Sequence, residues 1–383
     1  MFFRKDIVMI YYVIFCILLL CSSLNIKKEF IKKGISVFLC IFLCFSYFNG
    51  SDWRNYERIY EQYSLKNFYN YPFEKIFSLY FSVFKILNID FWNFFIITKV
   101  FCFCIFLKVM RFLSFNFFLE KLIFFIQIGL YLFIDCPLRN LIAISFSILA
   151  ILFYLQKKTM RALIFVFFGL LFHNSAIILL FIYFLYLLIR NSKKEKEILI
   201  FLFFLSFLFS SKDFVLILVG LFKIIPSLYL RVINYVGSSY DSSQLINIRL
   251  FEKYIVTLFT LIYYEKIKIK YKYGKEVVIL NLIFLILYRI GNTFSVLTRF
   301  QLYFRIFDVI AISYLFGIIK EKYTRFFLKS VYLCYLFLNL YILIHMSTLY
   351  LPYTNYLQYI FKDKPSYEYR INFNKNYRKE IKN

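Results

Sequence analysis

Cys136-Pro137-Leu138-Arg139-Asn140-Leu141-Ile142-Ala143 opens an apolar run that continues to Tyr154-Leu155 and closes on Gln156-Lys157-Lys158. A run of that kind, ended by paired lysines, reads as a helix that crosses a membrane and leaves its lysine end in the cytoplasm. At the other end stands Arg139, a permanent cation at the mouth of an apolar segment. About thirty residues on, Phe172-His173-Asn174-Ser175-Ala176 puts the chain's first histidine inside the next apolar stretch. Ionisable groups at membrane depth are expensive, so both residues read as parts of a site.

The rest of the chain repeats the pattern. With 62% hydrophobic residues, a mean hydropathy of +0.70 and many apolar runs near spanning length, the 383 residues cannot hide their surface in a soluble fold. The 54 Phe reflect an AT-rich coding bias and carry no site argument. Cys16, Cys21, Cys40, Cys44, Cys102 and Cys104 lie in or beside apolar runs, without His or carboxylate at zinc spacing. They read as lipid-facing or core residues, and the sequence calls for no metal and no cofactor.

The net charge of +26 would suit nucleic acid, but its distribution argues against that partner. The lysines cluster between spans, at Lys27, Lys28, Lys32 and Lys33, at Lys157 and Lys158, at Lys193, Lys194 and Lys196, at Lys266 to Lys275, and at Lys320 and Lys322. Lysines in short loops report topology. Placing every cluster in the cytoplasm gives a path that starts outside. Spans run at roughly 7 to 24, 34 to 48, 91 to 108, 118 to 134 and 140 to 156. Residues 162 to 189, roughly, form a tight helical hairpin or re-entrant pair with His173 near its outer tip. Further spans follow at roughly 197 to 211, 250 to 266, 277 to 296, 300 to 319 and 326 to 347. Residues 1 to 24 are kept as the first span, because Cys21-Ser22-Ser23-Leu24 offers no small-residue cleavage site. The expectation is an all-α polytopic membrane protein of about 10–12 helices with re-entrant or interfacial segments. Residues 1–348 form one transmembrane domain, and 349–383 a basic tail that ends outside.

That topology separates the arginines from the lysines. Arg54, Arg58, Arg139, Arg231, Arg249, Arg289, Arg299 and Arg305 all fall in outer loops or outer halves of spans. A bidentate, always-charged group suits phosphate or carboxylate. The bland reading is helix capping, pairing with Asp135 or Asp308, or snorkelling to headgroups.

Two outer regions can hold a polar substrate, about 49–90 and about 211–249. The first carries Gly50-Ser51-Asp52-Trp53-Arg54-Asn55-Tyr56-Glu57, then Pro72-Phe73-Glu74-Lys75 and an apolar piece, Ile76 to Leu87, too short to cross. The second carries Pro226 and Gly237-Ser238-Ser239-Tyr240-Asp241 before Arg249. Aromatic rings interleaved with Arg, Asp and Asn suit a sugar. Asp52, after a sharp Gly50-Ser51 turn, reads either as a base at the membrane surface or as the N-cap of the following helix. Glu57 and Glu61 read as partners of Arg54, Arg58 or solvent. His173 reads either as a hydrogen-bonded structural residue or as an imidazole that takes a proton or binds phosphate. His345 reads as structural.

Several of these stretches resemble, in order and spacing, the EpsG-type branch of the Wzy-like polysaccharide polymerases. They are Asp52-Trp53-Arg54-Asn55-Tyr56, Leu138 to Ser145, Leu171 to Ile178, Thr298-Arg299-Phe300-Gln301-Leu302-Tyr303-Phe304 and Leu351-Pro352-Tyr353. The resemblance covers about residues 49 to 356. It departs at Asn140, where many members have glutamine, and this leaves the role of that position open. The resemblance implies a GT-C-like, membrane-embedded glycosyltransferase in the bacterial cytoplasmic (inner) membrane, working at its outer face on undecaprenyl-diphosphate-linked repeat units. O-antigen, capsular or exopolysaccharide would be the product, with a flippase and a chain-length regulator as partners. Arg139 would stabilise charge on the leaving diphosphate, with Arg299, Arg289 and Arg305 behind it, and Arg54, Tyr56 and Arg249 would contact diphosphate or sugar. Members of the GT-C class place an acidic residue in the first outer loop, which favours Asp52 as base, with His173 its rival. A lipid-linked oligosaccharide flippase and an O-antigen ligase stay open as alternatives, although no internal repeat of the transporter kind is visible.

Overall fold

The computed structural model describes residues 2–24, 26, 28–64, 73–221, 229–230, 233–234, 248–347 and 349–373. Among these the backbone is helical, without a β-strand; a lone antiparallel bridge joins Ser46 to Asn355. Six helical stretches are long and apolar enough to cross a membrane: Phe91–Leu113, Phe117–Asp135, Leu138–Leu155, Asn174–Asn191, Gly274–Thr293 and Lys322–Met346. Met9–Ser23 and Thr159–Phe172 are apolar but shorter. The chain is an all-α polytopic membrane protein, as its hydropathy requires. Pro226 and Gly237 to Asp241, read as a second sugar-compatible loop, lie outside the described residues, as does Arg231. The chain divides into two compact units, one of Met1–Leu149, Leu163–His173 and Glu321–Asn383, the other of Ala150–Ala162 and Asn174–Lys320.

In the first unit, α1 (Phe2–Ser23) pairs with the long C-terminal helix Lys322–Met346. The Tyr11 hydroxyl donates to Tyr350 O (2.7 Å), and Tyr12 meets His345 (3.2 Å). At the other end Lys329 donates to Ser22 O (3.2 Å), so the two helices run antiparallel. The Tyr341 ring lies 4.3 Å from that of His345.

Helix α2 (Glu29–Cys44) and a π-helical stretch, Phe125–Asp135, which continues α6 (Phe117–Phe124), end beside one another. Helix ends leave carbonyls without partners and carry partial negative charge. Lys99, fully buried in the middle of α5 (Phe91–Leu113), meets both needs. Its ammonium donates to Ser46 Oγ (3.0 Å), Phe133 O (3.1 Å), Ser46 O (3.4 Å) and Leu43 O (3.5 Å). A charge inside a span read as apolar is thus a clasp between two helix ends.

The loop after α2 is pinned at once. Gly50 has φ +82°, and a Cβ there would lie 2.4 Å from Ile134 O. The neighbouring Ser51 donates through N and Oγ to Asp135 Oδ1, both at 2.8 Å. The sharp turn expected at Gly50-Ser51 therefore exists, and it sets α3 (Trp53–Gln62) against α5. Next, α4 (Lys75–Ile86) buries Phe77, Ser78, Phe81 and Ser82 and exposes Leu79, Val83 and Ile86. Its twelve residues carry one exposed apolar edge.

The tail docks on the same loop. Thr354 N donates to Asn49 Oδ1 (2.9 Å), Asn49 Nδ2 to Pro352 O (2.8 Å), and the Tyr353 ring stacks on Phe42 at 4.3 Å. The start of α1, the first long loop and the tail thus share one side of this unit.

In the second unit, Ile248–Ile262, Gly274–Thr293 and Arg305–Ile318 pack round a buried polar cluster. Lys253 bonds Asp308 (2.5 Å) and Glu252 (2.9 Å), and Asn281 donates to Asp308 Oδ1 (3.1 Å). The expected span 300–319 is shorter in helix than its hydropathy suggested, because Thr298–Gln301 is a single turn and the helix restarts at Arg305. Asp308, offered as an arginine partner in the bland reading, bonds Lys253 and also lies within electrostatic reach of Arg305.

Candidate active site

The site is built from three chain segments of the first unit. After the π-helical stretch Cys136 takes a left-handed backbone (φ +52°), its N–H still bonded to Tyr131 O. Pro137 then starts α7 (Leu138–Leu155), its carbonyl accepting from Leu141 N (2.8 Å). A proline lacking an N–H costs nothing there. Arg139 stands in the first turn, where the chain emerges from its apolar run.

Its guanidinium is held from three directions. Nη1 donates to Glu74 Oε2 (2.7 Å), Nε donates to the Tyr56 hydroxyl (3.4 Å), and the plane lies 4.7 Å from the centroid of Phe73. Glu74 immediately precedes α4, and its second oxygen, Oε1, lies 3.1 Å from His173 Nδ1. One carboxylate thus spends one oxygen on the arginine and the other on the histidine. His173 sits where α8 (Thr159–Phe172) breaks before the 3₁₀ turn Asn174–Ile177. Beyond that turn runs α9 (Ile178–Asn191), and within the second unit Arg190 at its end donates to Tyr154 Oη (3.0 Å) on the last turn of α7.

Electrostatics fix the protonation of Glu74. Burial alone would raise its carboxyl, but the His173 hydrogen bond and the Arg139 charge outweigh it and bring it down to about 2. An ionised carboxylate only accepts, so a proton must sit on His173 Nδ1 for the 3.1 Å contact to be a hydrogen bond. In the neutral imidazole Nε2 is then the acceptor nitrogen. The Glu74 side chain keeps 15% of its surface and that of Arg139 26%, so a ligand can reach this trio. Burial raises the Tyr56 phenol while Arg139 pulls the other way; it stays a neutral acceptor for Nε.

The other expected residues distribute as follows. Asp52 occupies the N-cap position of α3 with helical backbone angles and makes no side-chain cap bond; Ser51 Oγ lies 3.4 Å from its Oδ1. Capping therefore does not account for it. Arg54 lies beside the Trp53 ring (5.8 Å), and its carbonyl accepts from Tyr367. Glu57 is not a partner of Arg54 or Arg58: it is buried, and its counter-ion is Arg370, which comes from the tail. In the second unit Arg289 is buried near Tyr254, Arg299 is exposed, and Arg305 has Arg249, Tyr288, Glu252 and Asp308 as electrostatic neighbours. Among the described residues no group of three or more His, Cys, Asp or Glu could hold a metal ion.

Glu74 and Phe73 were missed as site residues. The only signal in the sequence was their place in the first outer loop, next to a proline. Nothing local tells a carboxylate at residue 74 that it will meet residues 139 and 173.

The model of the EpsG family matches residues 35–359, which include every segment of this trio. No curated protein matches the chain, and no solved structure does.

Proposed function

Because the chain belongs to the EpsG family, the family of Wzy-like polysaccharide polymerases, we propose that it joins lipid-linked oligosaccharide repeat units into a longer glycan. The donor is a growing glycan on undecaprenyl diphosphate, and the acceptor is a hydroxyl of the next lipid-linked unit. The membrane is the bacterial cytoplasmic membrane, the trio faces outward, and O-antigen, capsule or exopolysaccharide is the product.

The observation that carries the reading is the bridging carboxylate. A histidine whose Nδ1 is tied to a carboxylate presents Nε2 as a proton acceptor in a fixed orientation, the logic of general-base dyads. His173 Nε2 takes the proton of the acceptor hydroxyl as its oxygen bonds to the donor's anomeric carbon. The bond from that carbon to the diphosphate oxygen breaks, and the lipid diphosphate leaves with the electron pair. Arg139 Nη2 makes no hydrogen bond among the described residues, and it is the face offered to the leaving phosphate. Preplaced cations of this kind stabilise the charge that develops in the transition state. Tyr56 and Phe73 orient the guanidinium, and Glu74 orients both partners. Asp52 and Arg54 hold the acceptor sugar, and Arg249, Arg289, Arg299 and Arg305 are assigned to further anionic or hydroxyl groups of the lipid-linked units. A flippase and a chain-length regulator act beside the enzyme.

The test uses purified protein in detergent with lipid-linked units, where sidedness is absent. The wild type should extend them, and Arg139→Ala and His173→Ala should each lower the rate by about 100-fold or more. A protein that binds the units but never lengthens them is a transporter, and one that transfers a finished glycan to a different acceptor is a ligase. Undiminished polymer from His173→Ala would return the base role to Asp52.

A further inference from the structure

Helix α3 brings Tyr56 to Arg139, yet little of its own chemistry holds it. It has ten residues and no side-chain N-cap bond, and its buried face consists of Trp53, Tyr56, Glu57 and Tyr60. Isolated helices of that length are marginal. Glu57 is the anomaly, a carboxylate with 2% of its surface left in a wall of aromatic rings.

What balances it arrives from more than three hundred residues away in sequence. The tail forms a short helix over residues 367–373, and Arg370, 7% exposed, points into the protein. Its Nη1 donates to both Glu57 oxygens, at 2.7 and 2.8 Å, while Trp92 Nε1 donates to Oε1 at 2.8 Å. The guanidinium lies 5.5 to 5.8 Å from the ring centroids of Trp53, Trp92, Tyr367 and Tyr47. Its Nε is spent on Pro365 O (3.1 Å), and the Tyr367 hydroxyl donates to Arg54 O (3.0 Å) on α3 itself. A buried carboxylate deprived of such a partner is strongly destabilising, so the pair fixes how α3 is rotated. Burial raises the Glu57 carboxyl, against which the Arg370 bond and charge and the Trp92 bond work.

We propose that Arg370 and Glu57 are positioning residues for the transfer site, clamping α3 so that Tyr56, next to Glu57 on the helix, meets the Arg139 guanidinium. The proposal rests on the polymerase reading above. Neighbouring residues of a helix are about 100° apart, so a turn of α3 that releases Glu57 swings Tyr56 away. The bond from Nε to Tyr56, at 3.4 Å, is already at the limit of a hydrogen bond. A displacement of about 1 Å breaks it, and misplacements of that size cost up to about 100-fold in rate.

The experiment measures kcat and KM for lipid-linked units with purified full-length protein carrying Arg370→Ala, Arg370→Lys or Tyr56→Phe, and with Tyr56→Phe combined with each Arg370 change. Expected are a kcat about 10-fold or more below wild type for Arg370→Ala with KM within about 2-fold, and an intermediate kcat for Arg370→Lys. In the Tyr56→Phe background the Arg370→Ala change should cost less than about 3-fold, because the route it acts through is already cut. A kcat within about 2-fold of wild type, or the same loss in both backgrounds, overturns the clamp. Should Arg370→Ala not be recovered folded, Arg370→Lys carries the same comparison. A wild type that lengthens nothing defeats the functional reading instead. The clamp is then judged by hydrogen exchange, where α3 amides must exchange faster in Arg370→Lys than in wild type, and equal exchange overturns it.

Discussion

Glu74 shows how much of a site can rest on one residue that sequence reading passes over. Arg139 and His173 were legible because each interrupts apolar sequence; Glu74 sits in a polar loop, where a carboxylate is unremarked. Its meaning comes only from the fold, which sets one oxygen against each of the other two. With its carboxyl held at about 2 against an ordinary value of 4.5, it is ionised at every working pH. A depressed folded value gives stability that is complete above about 4.5 and is lost as pH falls through about 2, on the order of 2–3 kcal/mol. Glu74→Gln should therefore melt below wild type at neutral pH, with the gap closing as the pH approaches the lower value. Thermal unfolding of the purified protein across that range reads it, and a gap that stays constant with pH refutes the assignment.

At the scale of elements, the sequence conveyed which pieces are helical and where a long apolar stretch breaks. The helix break at His173 and the shortness of α4 both follow from run length and flanking charge. What stayed hidden are the fastenings between elements. Lys99, within the span expected at 91 to 108, serves two helix ends whose proximity no local pattern encodes. Gly50 was read as a place to turn, but its reason is tighter, since the Ile134 carbonyl occupies the space a side chain would need. Gly50→Ala must displace that backbone and bear a left-handed φ, a loss of about 1–3 kcal/mol. The variant should show lower thermal stability and lower polymer yield at equal membrane content. Parity with wild type on both measures would mean that the turn relaxes freely.

For the whole molecule, hydropathy and lysine placement sufficed for the class, and the family match extends the reading to polymer formation. The lysine rule also makes a statement about sides. The start of α1, the loop after α2 and the tail should face outward, and Gln156-Lys157-Lys158 inward. Phosphatase fused after residue 373 should be active in cells, while a fluorescent reporter in the 156–158 turn should glow. The reverse pattern would invert the whole path. The structure joins loop and tail on one side through Asn49, Thr354 and Arg54, so the tail's basic character, which by the lysine rule alone would draw it inward, has a local use. Arg370 neutralises a carboxylate inside the protein. It also lies beyond residue 359, where the family match stops. A chain trimmed to the family's own limits would keep Tyr56, Glu74, Arg139 and His173 and still strand Glu57 without its cation. The shortest stretch that carries the family's features is not the shortest one that balances its buried charges.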